Sequence, residues 1–297
     1  MIGKPIVGLE IAAIIWQQLP MSLCERLVPT KASPIAYQAA NIVAVVAALI
    51  MNALVNVLPL NGVTTAQVSD SYPNLFTPPG YVFSIWGVIY TLAIVFMIYQ
   101  ARPSQHKQDY LTKIGFLYLV SAVANVLWLF IFQYSYGLPQ LFIVSLLPMT
   151  ALLLCLLAIY QRLGIGKREV SRNQKLAVHL SISVYLGWIS LAIIANIASV
   201  LNVMIPGIPM PTQALWTALA VIVALIITVV MIWTRRDFAF GLVVIWASIG
   251  IALNRNTIPL IFTTSVASAV IIAILILLAP LLRKKGIIEF YMMRSNH

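Results

Sequence analysis

Charge is what this sequence has least of. Only 8% of its 297 residues are Asp, Glu, Lys or Arg, only 7 are acidic, and just 2 are cysteine. Each scarcity removes a class of function. Cys24 and Cys155 are too few to imply a disulfide framework, one standing near the N-terminus and the other inside a long apolar run. No Asp, Glu, Lys or Arg stands inside any of the long apolar runs, whereas ion-coupled carriers, proton pumps and voltage sensors place ionisable groups at membrane depth. A lysine for a retinal Schiff base is missing for the same reason. His179, four residues from Lys175, reads either as a polar anchor near the interface or as an axial or metal ligand. It has no Cys, Asp or second His at ligand spacing. No nucleophile is paired with a base, so no catalytic residue can be named and no enzyme is expected. The loops lack a basic patch interleaved with aromatics, so nucleic acid is not an expected partner despite a net charge of +11.

Hydrophobicity is what remains. With 62% hydrophobic residues and a mean hydropathy of +0.99, the chain has more apolar surface than one soluble core could hide. The sequence predicts an all-α polytopic membrane protein of about eight transmembrane helices, at 35–58, 81–101, 114–134, 139–160, 176–202, 212–233, 238–253 and 259–282. The runs lack the in-and-out alternation of a membrane barrel. The seventh is short.

Lys and Arg orient it. All of the 18 basic residues except Arg255 fall on alternate connections or on the termini. Both termini are therefore expected in the cytoplasm, in the inner membrane for a bacterial chain. Arg255 would pair with Asp70, attract an acidic ligand, or stand solvated. Residues 1–34, with Lys4 ahead of IVGLEIAAIIW, read as an interfacial segment, the alternative being a cleaved or mis-annotated start.

Inside the spans the polar content is aromatic and amide. Phe83, Trp86 and Tyr90 share one helix face, as do Asn125, Trp128 and Phe132, and likewise Tyr185, Trp188, Ala192 and Asn196. Counting from the outer helix ends at ~1.5 Å per residue, Trp86 lies roughly 8 Å deep, Trp128 and Asn196 about 9 Å, Asn125 about 14 Å and Trp188 about 21 Å. If spans two, three and five are neighbours, these residues line one cavity opening outward beneath the loop that ends in FTPPGY. The competing reading is ordinary: interfacial Trp and Tyr, and Asn bonding between helices.

YPNLFTPPGYVFSIWGVIY, ANVLWLFIF at 124–132 and VYLGWISLAIIANIASVLN at 184–202 resemble, in order, the three signature segments of the TspO/MBR family. That family comprises the bacterial tryptophan-rich sensory proteins and the mitochondrial translocator protein, or peripheral-type benzodiazepine receptor. The resemblance implies a five-helix bundle over 35–202 that binds a porphyrin, haem or similar flat apolar ligand in a pocket under the first loop, with no obligatory cofactor. By the matched motifs Pro78 and Pro79 would shape a lid, and Trp86, Asn125, Trp128, Tyr185, Trp188, Ala192 and Asn196 would line the pocket. Phe83 and Tyr90 share the Trp86 face. Residues 203–297 would add three helices and a short cytoplasmic tail without a five-helix counterpart. Where the family loop carries a Trp and a Lys-Pro, this chain has Tyr72, Asn74 and Leu75. Loose cholesterol-type patterns, LAIYQR and VFMIYQAR, arise automatically from a tyrosine belt followed by arginine. The functional expectation is a sensor or regulatory receptor, the alternative a transporter or export channel for an apolar or amphipathic solute. The expected partners are the bilayer, the small ligand and a second copy of the chain.

Overall fold

The computed structural model describes residues 32–57, 60–283 and 286–292. The interfacial segment expected at the N-terminus lies almost wholly outside the described residues, and Cys24 with it. Among the described residues eight long helices form: α1 Pro34–Val57, α2 Ile85–Gln100, α3 Leu117–Tyr134, α4 Leu146–Leu163, α5 Leu180–Met204, α6 Met210–Arg235, α7 Phe238–Asn254 and α8 Pro259–Leu282. No strand occurs among the described residues. The protein is an all-α, multi-pass integral membrane protein.

Local chemistry sets the boundaries. Pro34 and Pro259 open their helices, where the missing N–H costs nothing, and α4 stops at Gly164 in the left-handed conformation. The third run is interrupted: a short helix, Asp109–Ile114, turns at Gly115 (φ +53) before α3 begins. The fourth begins as a separate helix, Pro139–Val144. The fifth starts with a π-helical turn, Lys175–His179.

Among the described residues seven helices are long and apolar enough to cross a bilayer, and α7, with 17 residues, is the shorter eighth. At ~1.5 Å per residue it is roughly 25 Å long. Its contacts run from one end of the bundle to the other. At one end the Asp237 carboxylate accepts a hydrogen bond from Tyr160 at the basic end of α4, and at the other Asn254 bonds to Thr77 in the loop before α2.

Around the bundle the helices neighbour one another in the order α1, α2, α5, α4, α3 and back to α1, while α7 packs on α5 with α6 and α8 behind it. Buried Gln38 and Gln100 exchange amide-to-carbonyl bonds that tie α1 to α2. At Gly187 of α5 an added Cβ would come within 3.3 Å of the Val243 side chain, so a small residue sets the distance between α5 and α7. One hydrophobic core runs from Ala44 of α1 to Ile272 of α8, so the last three helices share the interior of the first five. A second cluster, including Met51, Trp128, Phe142 and Val200, sits at the end under the α1–α2 loop.

Candidate functional site

The loop between α1 and α2 is built to stay put. It holds a short helix, Thr65–Ser71, started by a capping box of Thr64 and Gln67. The chain then descends beside α5. Tyr72 stacks on Phe142 at 4.0 Å and its hydroxyl donates to the Ser135 carbonyl, while Ser199 donates to the Tyr72 carbonyl at 2.7 Å. The Asn74 amide donates to Ser199 Oγ and Thr77 Oγ1, both at 2.6 Å, and its Oδ1 accepts from the Phe76 and Thr77 amides. Tyr72 and Asn74, where the motif family carries other residues, are thus loop anchors. Pro79 then sits in extended geometry (φ −65, ψ 157) at the start of the turn Gly80–Ser84 that leads into α2.

α7 holds the same loop from its other side. Trp246 Nε1 donates to the Val82 carbonyl at 3.0 Å, Asn254 to Thr77 O at 3.1 Å, and Arg255 to Leu75 O at 3.2 Å and Asn74 O at 2.8 Å. Among the described residues Arg255 makes no ion pair with Asp70; loop carbonyls take its donors instead. Burial pulls the Arg255 guanidinium below its ordinary pKa.

Beneath this loop lies a cavity of about 440 Å³. Its roof is Thr64, Thr65, Ala66, Ser69, Thr77 and Pro78. Phe83 of the turn before α2, Trp86 and Tyr90 of α2, Trp128 and Phe132 of α3, Met149 of α4, Trp188, Ala192 and Asn196 of α5, and Ala247 and Ile251 of α7 form its walls. Trp188 is edge-on to Trp86 at 6.3 Å and to Phe83 at 5.7 Å, and Trp86 stacks on Tyr90 at 5.5 Å. Asn196 is fixed by its amide, which reaches Ser145 Oγ at 3.4 Å and Met149 Sδ at 3.6 Å.

Eight of the eleven residues singled out from the sequence therefore meet at one cavity: Pro78, Phe83, Trp86, Tyr90, Trp128, Trp188, Ala192 and Asn196. Three do not line it. Pro79 lies against α7, where an added Cβ on Gly250 would stand 3.5 Å from its Cδ. Tyr185 packs edge-on behind Trp86 at 6.1 Å and borders a small separate space with Tyr118. Asn125 is buried in α3 with no hydrogen-bond partner for either amide atom among the described residues.

The depth count also needs correction. It placed Trp188 well below Trp86, yet the two rings are in contact. The helices are not flush: the loop descends beside α5, with Asn74 bonded at Ser199 and Ala195, so α2 begins below the outer end of α5. Nor do spans two, three and five form a mutually packed trio. α3 packs chiefly on α1 and α4 and faces α2 and α5 across the cavity.

His179 is buried in the π-helical turn, away from the cavity lining, and neither ring nitrogen has a hydrogen-bond partner among the described residues. No group of three His, Cys, Asp or Glu suited to a metal occurs among the described residues. What the sequence reading missed is the short roof helix and the contribution of α7. Trp246, Gly250 and Asn254, spaced four apart on one helix face, were the available signal.

A family model described as TSPO-like protein matches residues 38–278, which runs past residue 202 through α6, α7 and most of α8. Neither the curated proteins nor the solved structures gave a match. Covering most of the chain, with the motifs gathered at one cavity, the family match means that this protein belongs to the TSPO-like family, of the TspO/MBR-like kind its three motifs resemble.

Proposed function

We propose that the protein binds a flat, apolar, porphyrin-like molecule under the Pro78 lid and acts as a membrane sensor or regulator. The observation that carries this reading is the roofed cavity itself, of a size that suits a small ligand and walled by Trp86, Trp128 and Trp188. Indole faces give large contact area to a planar ring at little entropic cost. Among the described residues no charged side chain lines it. An ionised carboxylate inside would find no counter-charge, so the portion of the ligand that enters is uncharged, and acidic substituents stay at the mouth or are masked as esters.

The test is quenching of tryptophan fluorescence by a porphyrin dimethyl ester in detergent. Stacking adds roughly 0.5–1.5 kcal/mol beyond area burial, so Trp188→Leu should weaken binding about two- to tenfold. Trp233→Leu, outside the cavity lining and under Arg283, should bind as the parent does. Equal affinities in all three, or no saturable quenching, would overturn the reading. In sealed vesicles a sensor binds the ester without moving it to the far side; accumulation inside would assign transport instead.

A further inference from the structure

We infer that α7 is part of the ligand site: Ala247 and Ile251 face the bound molecule, while Trp246, Asn254 and Arg255 hold the lid over it. This rests on the reading that the cavity takes a flat apolar ligand, and it adds where the site's boundary lies. The motifs that point to that cavity all lie in α2, α3, α5 and the first loop, so nothing in them assigns a role to the last three helices.

Two stripes on one side of α7 carry the inference. Trp246, Gly250 and Asn254 form the first, at four-residue spacing, with Arg255 at its end; Ala247 and Ile251 form the adjacent one. The second stripe closes the cavity wall between the roof and α5. The first meets the lid. An extended run ending in two prolines offers carbonyls that no helical turn takes up, and this end of α7 supplies three donors to those of Asn74, Leu75 and Thr77, with a fourth to the Val82 carbonyl in the turn that follows. Gly250 permits the approach, because a Cβ there would stand 2.4 Å from Val82 Cγ2 and 3.3 Å from Pro78 Cβ. A lid held on one side by α5 and on the other by α7 is already ordered before a ligand arrives, which lowers the entropic cost of binding.

The experiment uses the full chain in detergent and the porphyrin dimethyl ester as probe. Cysteine is introduced by Ala247→Cys, in the wall, and separately by Leu253→Cys, which is exposed on the outer face of α7. With the ester at ten times its Kd the site is free about a tenth of the time, so alkylation of Ala247→Cys should slow about tenfold while Leu253→Cys reacts at an unchanged rate. For the lid, Arg255→Ala removes two donors and Trp246→Phe removes one while keeping a ring, and each should speed release of bound ester about fivefold or more. A purely stabilising role for these side chains would lower the melting temperature and leave the release rate alone. Unprotected Ala247→Cys with saturable quenching intact overturns the inference and spares the pocket; unchanged release from both lid variants overturns the lid half. Absence of saturable quenching in the parent overturns the pocket reading and the inference together.

Discussion

Asp237 is a buried carboxylate at the start of α7, in a chain that has very few acids. Its Oδ2 accepts from the Tyr160 hydroxyl at 2.8 Å and its Oδ1 from the Phe240 amide at 3.0 Å, which makes it the cap of the helix. Burial pushes its pKa up, and the donors, Ser183 first among them, only partly pull it back. A carboxyl whose folded pKa lies above its unfolded one binds its proton more tightly in the folded state. The stabilisation is therefore complete below the unfolded value, about 3.9, and is lost as pH rises through the raised folded value. Thermal melts in detergent should show stability declining from about pH 4 upward, and Asp237→Asn should flatten that decline. Identical slopes for parent and variant would refute the assignment. At this scale the tryptophans were legible from sequence because aromatics at helical spacing mark one face. The placement of Asn125 and Tyr185 was not, because spacing along a helix gives a face but not what packs against it.

Among the elements, the connections at the basic end are as tightly fitted as the lid. Gly166, between α4 and α5, has φ +74, and a Cβ there would fall 1.5 Å from the Arg235 carbonyl oxygen at the end of α6. Gly207, between α5 and α6, has φ +83 but open space around it. Left-handed backbone costs a non-glycine residue about 1–3 kcal/mol, so Gly207→Ala should destabilise by that strain alone. Gly166→Ala must also push the α4–α5 connection away from the end of α6 and should cost more, read as the larger drop in melting temperature of the pair. Equal drops would mean that the α4–α5 and α6–α7 connections do not depend on each other. The existence and order of the helices were readable from apolar run length. Their breaks at Gly115 and Ser145, and the offset that brings Trp188 level with Trp86, were not, since each depends on a neighbouring element.

For the whole molecule, charge distribution sets the expected orientation. Among the described residues, basic side chains gather at the end that carries Arg162, Lys167 and Arg235, and Arg255 stands apart from them by the lid. Reporters fused at the C-terminus and within 102–113 should register cytoplasm, and one within 59–72 the outside, by the positive-inside bias. A C-terminus outside would break the pairing of eight crossings with these charges. By itself the sequence determined that the chain lives in a bilayer, that it crosses about eight times as helices, and which aromatic residues share a helix face. Those properties follow from composition and periodicity, which are local and additive. Tertiary structure alone decided that α7 shares the core and the cavity with the first five helices. It also decided that Arg255 directs its donors to the lid carbonyls rather than to Asp70. Both outcomes turn on which surfaces meet across nearly two hundred residues of chain, as between Asn74 and Arg255, and no helical period carries that information.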